Sequence, residues 1–312
     1  VSKIEYVPRT FSAGSLDLIE KANAICEEYR DQGFDLTLRQ LYYQFVARAW
    51  LPNKDIEYKR LGSIINDARL AGLIDWDYIV DRTREINGAF GGFDSPGAAV
   101  SSVAGWYSID VWRGQTARVE AWVEKEALVD VLAQGVRGTR IPYFACRGYT
   151  SASALWQASQ RIQGYLDEEG VERVVILHLG DHDPSGIDMT RDIRDRFDTF
   201  LSGDGYQPEN VEIRRIALNM DQVRQYDPPP NPAKLTDSRV GGYIARFGSS
   251  SWELDALNPT ILGDLLRTNI AAEIDSSLWD ERVEQESTEK DVLRAMSRRW
   301  PEVQTFLAGG AS

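Results

Sequence analysis

Two acidic segments carry the chemistry legible in this chain. Glu124 follows the short strand pattern Val119–Val123 in VEAWVEKEAL, and Asp181 and Asp183 follow Val174–Leu179 in VVILHLGDHDPSGID. Carboxylates one residue apart on a tight loop can turn toward a single point, and Gly180, Pro184 and Gly186 favour that turn. Three hard oxygen donors suit Mg²⁺, which takes few protein carboxylates and keeps several waters. An ion held there can neutralise a phosphate, orient a scissile bond and stabilise a leaving oxygen. The competing reading makes DHD a solvated loop and Glu124 a helix-start acid favoured by the dipole. The order of the two motifs, each at the end of a strand, favours a metal site.

The elements that must position these residues follow from periodicity. Val119–Val123, Ile141–Ala145, Val174–Leu179 and Val211–Leu218 read as strands. Helical patterns separate them at Glu126–Gln134, Ser151–Glu169 and Ile187–Phe200. This alternation predicts an α/β domain with a mostly parallel, Rossmann-like sheet. VVILHL is nearly continuous in apolar residues, as a strand buried on both faces requires. Both acidic loops then lie at carboxyl ends of strands, the edge where open α/β sheets place ligands.

Upstream the pattern is helical. Ser15–Asp31 has a helix period, Thr37 caps a second helix through Trp50 that Pro52 stops, and Tyr58–Ala71 forms a third. Leu73–Arg84 predicts a short β-wing, so residues 1–86 read as a winged helix-turn-helix, a fold that often sits on DNA. Residues 87–118 read as a linker because NGAFGGFDSPG is rich in glycine. Residues 119–312 then form the α/β domain with a C-terminal helical extension over Pro259–Ile274 and Asp280–Leu307. Between them DPPPNP, Asp227–Pro232, is a rigid loop.

Composition narrows the function. A hydrophobic fraction of 43% with 9 Trp, 13 Tyr and 10 Phe argues for packed cores. A net charge of −13 excludes a passive basic nucleic-acid coat and implies weak, salt-sensitive non-specific affinity. No apolar run approaches the ~20 residues that cross a bilayer. The first residues lack a secretory pattern, so a cytoplasmic, nucleoid-associated protein with no membrane partner is expected. Cys26 and Cys146 read as two buried, reduced thiols.

Glu after an apolar strand, then DxDPxG after another, resembles the Toprim fold of topoisomerases, primases and some nucleases. WVEKEAL with LGDHDPSGID is similar to the A subunit of topoisomerase VI and its meiotic break-forming relatives, over roughly residues 36–218. The resemblance implies a winged helix ahead of the Toprim domain and a homodimer acting on double-stranded DNA. It implies Mg²⁺ as cofactor, held by Glu124, Asp181 and Asp183, and cleavage by tyrosyl transesterification, a type IIB topoisomerase activity. ATP-driven strand passage would need a separate ATPase subunit, since no Walker A loop is visible. Gln40 stands where the family usually has Asp, and GYTSASA where it usually has Gly-x-Pro-Asp.

The family tyrosine corresponds to the stretch Arg39-Gln40-Leu41-Tyr42-Tyr43. Leu38, Leu41, Tyr42, Phe45 and Val46 form a helical stripe, so Tyr42 belongs to the core face. Tyr43 lies about 100° further round and shares its face with Arg39. An exposed phenol beside a guanidinium is therefore expected, with Tyr43 as nucleophile and Arg39 stabilising the phosphoryl charge. Free tyrosine has a pKa near ~10, so the phenol needs activation. Arg82, Arg84, Lys125 and Arg147 are candidate phosphate contacts. His178 is expected in the core, and His182 to point away from the ion. Glu253 and Asp255 in SWELDAL read as a helix start or an interface. Two alternatives stay open: a Toprim nuclease using metal-bound water, for which Tyr43 is irrelevant, and a non-catalytic DNA-binding dimer.

Overall fold

Helical capping sets the first lobe of the protein, described here from a computed structural model that covers residues 3–80, 92–233 and 236–309. Helix α1 (Ala13–Asp31) starts where the Ser12 hydroxyl accepts from the Ser15 N–H, and it buries Leu18, Ile19, Ala22, Ile25, Cys26 and Tyr29. Helix α2 (Leu38–Ala47) opens in a capping box. Thr37 Oγ1 accepts from the Gln40 N–H at 3.3 Å, and Gln40 Oε1 accepts from the Thr37 N–H at 2.8 Å. It ends before the expected Trp50, because Ala49 turns left-handed at φ 55°. Helix α3 (Asp55–Leu70) completes a core around Leu36, Leu41, Tyr42, Phe45, Leu61 and Ile65.

The described part of the expected wing is not a strand. Trp76–Tyr78 forms a 3₁₀ turn, with the Asp75 carboxylate accepting from the Asp77 N–H at 3.0 Å. That local bond gives the backbone an alternative to a ladder. Within residues 73–80 the strand-like contact is one isolated bridge, Ile79 to Leu36. The rest of the wing, with Arg82 and Arg84, lies outside the described residues.

The expected linker also contains structure. Helix α4 (Pro96–Trp106) is capped by Ser95 with proline in its first turn, the position where a missing N–H costs nothing.

The second lobe is α/β. In chain order it comprises β1 (Ala117–Val123), α5 (Val129–Gly135), β2 (Tyr143–Ala145) and α6 (Ala152–Leu166), then β3 (Arg173–Leu179), α7 (Pro184–Gly203) and β4 (Val211–Ala217). The four strands are parallel in the order β2-β1-β3-β4. Side chains alternate between the two faces: Val119, Ala121 and Val123 meet Val175, Leu177 and Leu179 on one, while Trp122, Val174 and Ile176 lie on the other. The chain runs outward from β1 to β2, then returns past β1 to β3 and on to β4. Right-handed crossovers in opposite directions put helices on opposite faces. Accordingly Val131 and Leu132 of α5 pack on the first face, and Leu155 of α6 with Phe197 of α7 on the second. The switch point falls between β1 and β3.

Beyond the sheet come α8 (Met220–Tyr226) and a two-stranded ladder of β5 (Asn231–Pro232) with β6 (Ser250–Ser251), which flanks α9 (Val240–Phe247). The end of the proline-rich loop is thus one strand of that short ladder. Helix α10 (Pro259–Ala271) packs Leu262, Leu266 and Ile270 into the α5 face. The expected final helix is two, α11 (Ser276–Arg298) and α12 (Trp300–Gly309). They part just before Pro301, which cannot continue the ladder of the preceding turn. Helix α4 belongs with them: Ser297 Oγ donates to the Gly97 carbonyl at 2.8 Å. Among the described residues no helix is long and apolar enough to cross a membrane.

Candidate functional site: an acidic cleft at the switch point

Strand register brings the two acidic motifs together. Val123 lies opposite Leu179, and the Glu124 N–H donates to the Leu179 carbonyl at 2.9 Å. Glu124 and the Gly180–Asp181 turn therefore leave adjacent strands side by side, where ligands sit in such sheets. Glu124 Oε2 accepts from the Asp181 N–H at 2.9 Å, Asp181 Oδ1 from the Leu254 N–H at 2.7 Å, and Asp183 Oδ1 from the Gly186 N–H at 2.7 Å. Each carboxylate thus has one oxygen fixed by a backbone amide. Asp183 is also the N-cap of α7. All three line a cleft of about 590 Å³, together with Arg39, Lys125 and Arg147.

The glycines of the motif do more than turn. A Cβ on Gly186 would lie 2.2 Å from the Asp181 carbonyl oxygen and 3.1 Å from Glu124 Oε2; one on Gly180 would lie 3.0 Å from that carboxylate oxygen. Both positions are kept bare by the loop and by Glu124.

Crowding shows in the electrostatics. Burial raises the pKa of Glu124, and the nearby Asp183 charge adds to it. Burial likewise pushes Asp181 up to about 7, aided by the Glu124 and Asp255 charges and opposed by Lys125. Besides Lys125, a second counter-charge is Arg215, a residue that sequence reasoning passed over. Its guanidinium donates to the carbonyls of Gly180 (2.8 Å), Asp181 (2.6 Å) and Gly186 (3.0 Å), and to Thr190 Oγ1 (2.8 Å). Burial lowers its pKa to about 10, which leaves it charged at neutral pH. In the sequence it is one charge in the strand IRRIA, and nothing local marks it as inward-facing.

The two histidines behave as expected. His178 is buried within β3, and His182 turns from the cleft to bond Tyr243 Oη at 2.7 Å while packing on Phe247 and Trp252. Its backbone exchanges two hydrogen bonds with Trp252, at 2.8 and 3.0 Å, which ties the DHD loop to the SWELDAL segment. Cys26 and Cys146 are both buried and free.

That segment supplies what the sequence reading underrated. Lys125, expected as a phosphate contact, is engaged inside the protein: its Nζ lies 3.0 Å from Asp181, 2.9 Å from Glu253 and 2.8 Å from Asp255. Burial opposes the lysine charge, but the three carboxylates outweigh it and raise its pKa. Arg39 reaches across from α2 to Glu253 (2.8 Å) and Asp255 (3.4 Å). Burial works against the Glu253 charge, yet Lys125 and Arg39 hold its pKa down to about 2. Arg147, a candidate phosphate contact, has 70% of its side chain accessible and pairs with Glu126 at the cleft edge.

Tyr43 corrects an expectation. It does share a face with Arg39, whose guanidinium lies 5.9 Å from its ring, but it is only 3% exposed and does not line the cleft. The face of α2 that periodicity marks as solvent-facing is covered by the turn at Leu254–Ala256. Burial raises the phenol pKa, and the Asp255 and Glu253 charges raise it further, against the pull of Arg39. Tyr42 is buried as expected, its hydroxyl donating to the Pro52 and Lys54 carbonyls at 3.0 Å.

Among the described residues no group of three or more His, Cys, Asp or Glu side chains is gathered closely enough to enclose a metal ion by itself. The donor chemistry nevertheless fits Mg²⁺, which binds through one or two carboxylates and completes its shell with water and substrate phosphate. Glu124, Asp181 and Asp183 each have one oxygen pinned and a second to offer.

No protein-family model matches the chain, and no curated protein matches it.

Proposed function

We propose that this protein is a Toprim-type nuclease, cleaving nucleic-acid phosphodiesters by hydrolysis at the acidic cleft. The observation that carries this reading is the composition of the cleft wall. Glu124, Asp181 and Asp183 line it, whereas Tyr43 does not. Mg²⁺ held by one or two of these carboxylates, with water and substrate phosphate completing its shell, would neutralise the phosphate charge and stabilise the leaving oxygen. The chain's own residues hold the geometry. Backbone amides of Asp181, Leu254 and Gly186 fix the carboxylates, and Arg215 fixes the loop that carries two of them. Arg147 stands exposed at the edge, where a backbone phosphate would arrive. Attack by water needs no ionised side-chain nucleophile, which suits a site whose nearest phenol is buried among acids.

A second reading, the tyrosyl transesterase of topoisomerase VI A subunits, is favoured by one observation: Tyr43, Arg39 and the acidic cleft are neighbours. It requires α2 to leave the Leu254–Ala256 turn so that Tyr43 can meet DNA. A homodimer and a separate ATPase subunit belong to that reading. The experiment is incubation with supercoiled DNA and Mg²⁺, quenched with detergent and resolved with and without proteinase. Free breaks that persist in Tyr43→Phe support hydrolysis. Protein-linked breaks that vanish in Tyr43→Phe overturn it in favour of transesterification, and an absence of any break counts against both.

A further inference from the structure

The Glu253 carboxylate is held as a phosphate would be. Arg39 Nη2 donates to both of its oxygens, at 3.1 and 2.8 Å; Lys125 Nζ donates to Oε2 at 2.9 Å and Asn231 Nδ2 to Oε1 at 3.4 Å. A guanidinium, an ammonium and an amide converging on one anion are the donor set that recognises phosphate oxygens. The donors come from three separate parts of the chain: α2, the end of β1 and β5.

Glu253 and its neighbour Asp255 do different work. The Asp255 side chain is 2% exposed and contacts both cations, Lys125 at 2.8 Å and Arg39 at 3.4 Å. It is their permanent counter-ion. The Glu253 side chain is 24% exposed and stands at the cleft wall. Trp252, the residue before it, is bonded through its backbone to His182, so a turn of the Glu253 side chain alone would vacate the position. Without Glu253, Arg39 and Lys125 still face Asp255 and Asp181, two cations against two carboxylates. The third carboxylate is surplus to pairing.

We propose that Arg39, Lys125 and Asn231 form a phosphate subsite beside the acidic cleft, and that Glu253 fills it until a backbone phosphate of the substrate displaces it. The subsite deepens the nuclease reading and rests on it for naming the phosphate as part of a nucleic acid. Glu253 acts as a tethered competitor: it occupies the anion position between the two cations in the free protein and repels an incoming anion until it swings away.

The test is binding rather than cleavage. Affinity for a fluorescein-labelled duplex oligonucleotide is measured by anisotropy in EDTA, over a series of salt concentrations, with inorganic phosphate as competitor. Wild type is compared with Glu253→Gln and Glu253→Asp, and the melting transition of each is recorded. Glu253→Gln is expected to bind about tenfold tighter. Its salt dependence should steepen by roughly one unit for each cation freed. Phosphate alone should compete at lower concentration. Glu253→Asp, which draws the charge back by one methylene, should fall between the two. Unchanged or weaker binding by a Glu253→Gln protein that melts as wild type does overturns the proposal. If Glu253→Gln melts early, unchanged binding by Glu253→Asp overturns it instead. Because no cleavage enters the measurement, an inactive wild type sinks the nuclease reading alone. An active wild type whose Glu253 variants bind no tighter sinks the subsite alone.

Discussion

Glu124 Oε2 accepts the Asp181 backbone N–H at 2.9 Å, and the bare Cα of Gly186 faces that same oxygen. The two acidic motifs, 57 residues apart in the chain, are therefore one mechanical unit. Moving either loop moves the carboxylates of both, so the site should respond steeply to small changes in this contact.

Glu124→Gln and Asp181→Asn keep the hydrogen-bonding shape and remove one charge each. Each should lower Mg²⁺-dependent cleavage on the order of 10³-fold, because the lost charge stabilisation at the phosphate amounts to several kcal/mol. Melting temperatures should hold or rise, since both carboxylates are buried with raised pKa values. Wild-type cleavage by a folded Asp181→Asn protein would remove the acidic cleft from the chemistry.

Gly186→Ala tests the packing of the loop. The new Cβ would fall 2.2 Å from the Asp181 carbonyl oxygen, a backbone atom that cannot rotate away. The loop has to shift, and a displacement of this size should cost on the order of 100-fold in rate. Gly164→Ala, a helix position with open space around its Cβ, is the control and should retain full activity. Equal activity in the two variants would show that Gly186 is spacious in solution.

Tyr43→Phe removes only a hydroxyl. Under the hydrolytic reading cleavage should stay within about threefold of wild type, as for a residue making no interaction special to the transition state. Tyr43→Ala should lower stability by about 3 kcal/mol, because the ring is buried between α2 and the Leu254–Ala256 turn. Denaturant melts of the two variants separate the structural role from a chemical one.

Arg215→Met removes one donor from each of the Gly180, Asp181 and Gly186 carbonyls and takes one of the buried counter-charges from the acidic cluster. A loss of about 3 kcal/mol is expected in urea unfolding. Restoration of stability by a second change, Asp181→Asn, would identify charge imbalance as the cause.

Acid sensitivity should trace in part to Glu286 on α11. The carboxylate is buried and accepts from Arg140, from Lys290 at 2.6 Å and from the Ile109 N–H at 3.0 Å. The Arg140 hydrogen bond, supported by Lys290, lowers its pKa from 4.5 to about 2. A depressed folded-state pKa gives stability that is complete above the unfolded value. It is lost as pH falls from there through about 2. Glu286→Gln should therefore be less stable than wild type at pH 7, and the difference should shrink across that acid window. A constant difference down to pH 2 would assign the acid loss to other carboxylates.

Much of the fold was legible because the signals are local. The four strands of the α/β lobe were readable as strand patterns, most plainly the apolar run of β3, and Thr37 and Ser151 cap the helices that follow them. The adjacency of Glu124 with Asp181 and Asp183 was also readable, since both motifs end strands of a parallel sheet and carboxyl ends share one edge. Tertiary structure decided the rest. Helix periodicity placed Tyr43 beside Arg39, but a helix face has no record of what another part of the chain lays over it, and the Leu254–Ala256 turn covers this one. In the described part of the expected wing, the Asp75 side chain accepts from the Asp77 N–H and the chain forms a turn, a local bond that competes with strand pairing. Lys125, Arg215, Glu253 and Asp255 are ordinary charges in sequence. Their roles arise from burial and from partners 25 or more residues away, quantities that composition and spacing do not encode.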